Sequence, residues 1–289
     1  CSSGASRNNG RKERYTNMKK NAVVLFAKQH AGEIFWFVVP QLAALLFCAV
    51  QGTFVKLGPD AKLYYSIAEN FCTTGHFIQT ARDSAFFVVP FGVPLILTIL
   101  RLIGFRLPMI IAVQYLMLGT ACMLLYKTER ILFGKGGFAP LFYGVALLRA
   151  KIFIYNIYLE HYFLLLLIVL LYLSVRTDMP VGKRLTYMNL AGVYLVACRP
   201  ALMPVYIAVL LYSLVRLLRR QLSAGRFVVF LLIPVLLFGA NTLVNYRETG
   251  YPIVMDSYSG QDFYAANNPD TSTEYYSSEI YETFGEEYT

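Results

Sequence analysis

Residues Ile34 to Val55 carry no charged side chain. As a helix rising ~1.5 Å per residue, the run extends about 33 Å, enough to cross a hydrocarbon core of roughly 30 Å. Further apolar runs follow at Phe86 to Leu100, Leu107 to Tyr126, Phe138 to Phe153, Tyr162 to Val175, Tyr187 to Cys198, Ala201 to Val215 and Phe227 to Val244. A soluble domain cannot absorb so much apolar sequence. With 57% hydrophobic and 15% charged residues and a mean hydropathy of +0.50, there is too little polar surface to cover it. The expected fold is all-α and integral to a membrane.

Charge then orients the runs. Basic clusters occur at Lys127, Arg130 and Lys135, at Arg176, Lys183 and Arg184, and at Arg216, Arg219, Arg220 and Arg226, and the N-terminal segment is also basic. The positive-inside tendency places all four on the cytoplasmic side. An odd number of crossings must then separate the outer end of the first run from Lys127, and two candidates lie between them. Phe86 to Leu100 is the weaker, interrupted by Pro90, Gly92 and Pro94. It reads as a broken segment dipping into the outer leaflet, its backbone covered by protein. About seven transmembrane helices result, with a juxtamembrane helical first external loop. Residues 1–17 read as a disordered or non-native leader before Met18, residues 18–245 as the transmembrane core with its external loop at 56–106, and residues 246–289 as the start of an extracytoplasmic C-terminal region cut short. The net charge of +9 hides an asymmetry: the basic part is the membrane part, since no Lys or Arg follows Glu248. Nucleic acid is therefore not implied as a partner, whereas membrane lipids are. Five scattered cysteines show neither paired nor metal-like spacing.

On this topology Asp60, the Arg149 to His161 stretch, the Arg199-Pro200 break and everything after Asn245 emerge on the extracytoplasmic face. Asp60 stands just beyond the first crossing. From Pro59 onward, Ala61, Tyr64, Tyr65, Ala68 and Phe71 recur at helical spacing, as in a short helix lying along the interface. Asp60 near its start has two readings: a helix cap, or a carboxylate held at the water boundary for chemistry. Arg149 and Lys151 close one crossing, and Glu160 and His161 open the next. Charges at membrane depth cost roughly 2.5 to 3.5 kcal/mol on insertion scales and are functional candidates, although basic side chains also snorkel to the headgroups. Arg199, beside Pro200 and between two short apolar runs, suits an anionic phosphate. His30 and His76 stand alone, with a hydrogen-bonded surface role as the default, and Trp36 belongs to an interfacial belt. No Walker loop, dinucleotide fingerprint or nucleophile elbow occurs.

The order of these pieces is familiar. A first transmembrane run, then Asp60-Ala61-Lys62-Leu63-Tyr64-Tyr65-Ser66-Ile67-Ala68-Glu69-Asn70, Gly75-His76-Phe77, Pro90-Phe91-Gly92-Val93-Pro94-Leu95 and Leu102-Ile103-Gly104 resembles the GT-C superfamily of polyprenyl-phosphate-sugar glycosyltransferases. Within it, the likeness is to the dolichyl-phosphate-mannose protein mannosyltransferases and the aminoarabinose transferases. Asn245 to Gly250 and Gly260 to Asp270 are similar to the stretch that follows the seventh helix in that family. Two departures are visible: Ala61 follows Asp60 where the family often has a second charged residue, and Pro90 is separated from Pro94 where it often has adjacent prolines.

The resemblance implies transfer of a sugar from a polyprenyl-phosphate donor to the hydroxyl of a glycan, lipid or protein acceptor, with inversion at the anomeric carbon. It implies an extracytoplasmic active site in a bacterial inner or plasma membrane. Asp60 would be the general base, Arg149, Lys151 and Arg199 the donor-phosphate ligands, and Glu69, Glu160, His161, Asn267 and Asn268 further substrate-binding residues. It names no definite cofactor, and a divalent metal ion is left open. Two alternatives share parts of this pattern: a lipid-linked glycan polymerase or ligase acting on a pyrophosphate donor, and a transporter, which would place its polar groups near midplane and often shows internal repeats.

Overall fold

The computed structural model describes residues 25, 28–55, 57–78, 88–149, 157 and 159–256. In chain order the described helices are α1 (Ala31–Gln51), α2 (Pro59–Thr74), α3 (Gly92–Leu102), α4 (Leu107–Phe133), α5 (Phe138–Arg149), α6 (Leu159–Val175), α7 (Val181–Cys198), α8 (Met203–Leu218) and α9 (Ala224–Thr249), with a short 3₁₀ turn at Pro200–Leu202 before α8. Among the described residues there is no strand. The leader, residues 1–17, and the Gly260 to Asp270 stretch lie outside the described residues.

Four helices, α1, α4, α9 and α8 with its leading 3₁₀ turn, are long and apolar enough to cross a membrane. They differ in what surrounds them. The α4 span is 44% buried inside the protein, whereas the other three are only 11–17% buried, so most of their surface faces outward. Their outward side chains are large and apolar, such as Val50, Leu46, Leu218, Val235 and Leu236, as a lipid-facing surface requires. The chain is a helical membrane protein. The lengths of the others do not by themselves carry the expected total of about seven crossings. At ~1.5 Å per residue, α6 and α7 extend about 25 and 27 Å.

Several boundaries differ from the apolar runs for local reasons. Helix α4 continues past Tyr126 through Lys127 and Arg130 until Gly134, whose φ of 72° ends it in the left-handed region. Helix α7 begins at Val181 rather than Tyr187, because Pro180 sets its start and Arg184 finds acceptors in the Arg176 carbonyl and the Tyr212 hydroxyl, the latter at 3.1 Å. The Pro-rich segment becomes α3, an 11-residue helix beginning only at Gly92. At about 17 Å it is too short to cross.

Packing runs from α1 to α4, from α4 to α5 and α6, from α6 to α7, and from α7 to α8 and α9; α2 packs on α3, and α3 on α7. Helices α1 and α4 approach closely where Gly119 faces the Phe37 carbonyl and the Gln41 amide. The apolar face foreseen for α2 is present, but it packs on protein: Ala61, Tyr64, Ile67 and Ala68 are buried with Val93 and Leu97 of α3 and Ile110 and Leu118 of α4. The most enclosed helix is α7, with twelve buried residues from Gly182 to Cys198.

Contacts also sort charge by end. Lys127 pairs with Glu33 at 3.0 Å, and its charge reaches Asp178. Asp178 in turn pairs with Arg176 at 2.6 Å, and this hydrogen bond holds its carboxyl below the usual range. Arg184 and Arg216 share the Tyr212 hydroxyl, and Arg226 lies against Gly182. All three internal basic clusters therefore meet at one end of the bundle. The Glu160 start of α6, the Arg199 end of α7 and the Glu248 end of α9 lie at the other.

One contact between the peripheral α2–α3 unit and the bundle is backbone against backbone. A Cβ on Gly92 would stand 2.6 Å from the Cys198 nitrogen and 2.7 Å from the Ala197 carbonyl carbon, and the Tyr194 hydroxyl donates to the Gly92 carbonyl at 2.5 Å. Gly92→Ala is therefore expected to destabilise the protein by about 1–3 kcal/mol, since backbone cannot yield as a side chain does. Gly144→Ala, where nothing lies within 4 Å, should be neutral or slightly stabilising. Thermal unfolding of both variants in micelles checks this; equal behaviour would mean that the α3–α7 contact is loose.

Candidate functional site

Arg199 sits at the break between α7 and α8. Its backbone leaves the helix with φ −148° and ψ 98°, because Pro200 cannot continue the hydrogen-bond ladder and disfavours a helical conformation in the residue before it. Its side chain is 46% exposed. The guanidinium stacks over the Phe163 ring at 5.0 Å from the centroid and stands 3.6 Å from Oε1 of Glu160. The other carboxylate oxygen of Glu160, Oε2, is buried and has no hydrogen-bond partner among the described residues. His161 is buried beside it in the first turn of α6.

The structure thus brings together Arg199 and Glu160, which are far apart in sequence, and adds Phe163, which sequence reading missed. The missed signal was spacing. Phe163 follows Glu160 by one helical turn, so its ring faces the same side as the carboxylate.

Asp60 is the second residue of α2, and the N-cap position is held by Gly58. The cap reading is therefore not realised, although the position in the first turn still suits the helix dipole. The carboxylate is exposed and, among the described residues, neither hydrogen-bonded nor ion-paired. It shares no ion pair with Arg199. The helix beneath it is nevertheless anchored, through Ala61, Tyr64, Ile67 and Ala68.

Glu69 is engaged elsewhere. It pairs with Arg101 at 3.4 Å, and Arg101 lies 5.6 Å over the Tyr65 ring. Burial, and then the Glu69 carboxylate beside it, push the Tyr65 phenol above its ordinary value. This arrangement ties α2 to α3. Arg149 is the last residue of α5, while Lys151, Asn267 and Asn268 lie outside the described residues.

His76 does find the partner expected of a lone surface histidine. Its Nδ1 lies 2.8 Å from Oε2 of Glu248, near the end of α9. Asn241 and Asn245 donate to the carbonyls of Val254 and Ile253 and fold the chain back after that helix. Two buried polar groups near the α4–α6 contact have no partner among the described residues: the Gln114 amide and the Tyr162 hydroxyl. Gln114 was legible as one amide within an apolar run, and its burial was not. Among the described residues no group of three or more His, Cys, Asp or Glu is placed to hold a metal ion.

The Arg199–Glu160 pair is long and partly exposed, so solvent screening holds it to about 1 kcal/mol or less, with about as much again from the Phe163 stack. A double-mutant cycle of Arg199→Ala with Glu160→Gln should therefore return a coupling below about 1 kcal/mol in thermal unfolding. A much larger coupling would make the pair a structural latch instead of a cation free to engage a ligand. No family model matches this chain, and no curated protein or solved structure matches it.

Proposed function

We propose that the chain is the membrane core of a GT-C-like glycosyltransferase that moves a sugar from a polyprenyl-phosphate donor to an acceptor hydroxyl on the extracytoplasmic side. The observation that carries this reading is the state of Arg199. It is a half-exposed cationic side chain at a broken helix junction, at the end of the bundle away from the internal basic clusters, held flat by Phe163 and only loosely by Glu160. A planar cation with donors to spare suits a phosphate oxygen pair.

The chemistry is simple to balance. The acceptor O–H gives its proton to the Asp60 carboxylate as its oxygen attacks the anomeric carbon. The bond from that carbon to the phosphate oxygen breaks, and its electron pair leaves with the lipid phosphate. Attack opposite the leaving group inverts the configuration. The phosphate is stable as an anion and needs no strong general acid, whereas the alcohol needs a base. General-base assistance of ~10² to 10⁴ in rate corresponds to about 3 to 5 kcal/mol. Arg199 would stabilise the charge that develops on the phosphate. An unpaired Asp60 supports its part, because a carboxylate already engaged by a cation is a poorer base. A glycosidase would ordinarily show two carboxylates flanking the bond, which the sequence does not point to.

Membranes containing the protein, supplied with polyprenyl-phosphate sugars and analysed by mass spectrometry for transferred sugar, test both roles. Asp60→Asn should lower the turnover about 10² to 10⁴-fold without loss of inserted protein. Arg199→Ala should raise the donor concentration needed for half-maximal rate about tenfold or more, as expected for loss of a hydrogen bond to a charged group. Near-normal transfer by Asp60→Asn defeats the assignment of the base, and an unchanged donor dependence removes Arg199 from the site.

A further inference from the structure

The opposite end of the bundle gathers cations that its carboxylates do not balance. Of the acids there, Glu33 is taken by Lys127, Asp178 by Arg176, and Glu129 accepts the backbone N–H groups of Gly137 and Ala139. Among the described residues, Lys183, Arg184, Arg216, Arg219, Arg220 and Arg226 meet no carboxylate.

Three of them are not placed as a loosely solvated charge run. Arg184 is buried, only 6% exposed, and the Nε atoms of both Arg184 and Arg216 are buried with no acceptor. Both guanidinium groups donate to the Tyr212 hydroxyl, which aligns them side by side, and Arg216 also donates to Gln221 at 2.6 Å. Arg226 is seated against Gly182, a buried position where any Cβ would displace its guanidinium.

The turn between α8 and α9 adds a second, independent observation. It spans residues 219–223, is pinned by buried Leu222, and ends where Ser223 caps α9 by accepting from the Arg226 N–H. Within it, Arg220 has φ 57°, the only described residue other than glycine with positive φ. A left-handed arginine is strained where glycine would not be. The turn therefore carries a cationic side chain at a position whose backbone conformation favours glycine.

We propose that this end binds the phosphate of an anionic glycerophospholipid, with Arg219, Arg220 and Arg226 as its exposed ligands and the Arg184–Tyr212–Arg216 group as the buried support behind them. The surrounding helix faces fit that occupant. Leu218, Val228 and Val229, next to the turn, are exposed and apolar, so acyl chains can lie along α8 and α9 while the headgroup meets the cations.

Native mass spectrometry of the full chain in micelles, titrated with phosphatidylglycerol or phosphatidylcholine, tests this, with thermal unfolding in parallel. Phosphatidylglycerol should be retained in preference to phosphatidylcholine. At about fivefold per basic residue, the combined Arg219→Ala, Arg220→Gly, Arg226→Ala variant should bind phosphatidylglycerol about a hundredfold more weakly. Arg247→Ala, an exposed cation at the other end, should bind it as the parent does. Arg220→Gly alone separates lipid binding from folding: it should unfold at the same or a higher temperature in phosphatidylcholine micelles, yet bind phosphatidylglycerol about fivefold more weakly. The proposal is overturned if Arg220→Gly or the combined variant binds phosphatidylglycerol like the parent, or if Arg247→Ala weakens binding as much. It is also overturned if inorganic phosphate in phosphatidylcholine micelles stabilises the protein as phosphatidylglycerol does.

Discussion

The close approach of Gly92 to the last turn of α7 is the contact on which the rest of the arrangement depends. Helix α3 cannot cross a membrane, and the amphipathic α2 packs mainly on it, so the pair takes its position from its contacts with the bundle, of which Gly92 on α7 is the tightest. That contact is main chain on main chain, strengthened by the Tyr194 hydroxyl on the Gly92 carbonyl. It reaches the two residues just before Arg199. One small residue thereby helps to place both the α2–α3 pair and the backbone next to Arg199.

Inside the bundle, α7 is organised by polar pairs as well as by apolar fit. Fully buried Asn189 donates to Ser213 of α8, and Gly192 receives the Tyr206 ring. In a region without water, such groups find partners on neighbouring helices or remain unsatisfied. The unpartnered Gln114 amide and Tyr162 hydroxyl are therefore conspicuous. They lie in or beside the apolar cluster that also holds Ile110, Ile157 and Cys198, beneath the end where Glu160 and Arg199 meet.

The two ends of the molecule handle charge differently. At the basic end, guanidinium groups are aligned by a shared phenol and crowd a strained turn. At the other, the charges are spaced and only lightly paired: Arg199 with Glu160, His76 with Glu248, and Asp60 with none of the described residues. That contrast fits one end held at a lipid surface and another left free to meet an anionic substrate. The proposed transfer reaction and the proposed lipid contact thus draw on opposite ends of the same helices.

The helical membrane class, the short α2 with its buried face, and the inability of the Pro-rich segment to cross were all legible in the sequence. Each follows from local chemistry: run length, helical spacing, and proline's missing donor. The candidate status of Arg199 was legible for the same reason, because a cation beside a proline in apolar sequence is a local anomaly. The partners were not. That Glu160 rather than Asp60 would stand beside Arg199, that Glu69 would be claimed by Arg101, that Phe163 would lie under the guanidinium, and that Gly92 would touch Ala197 depend on which helices neighbour one another and at what depth. Sequence alone determined what each segment could be, since backbone bonding and hydrophobic periodicity act within a few residues. Tertiary structure decided which side chains meet, since helix packing joins residues tens to hundreds of positions apart, and no local rule encodes that choice.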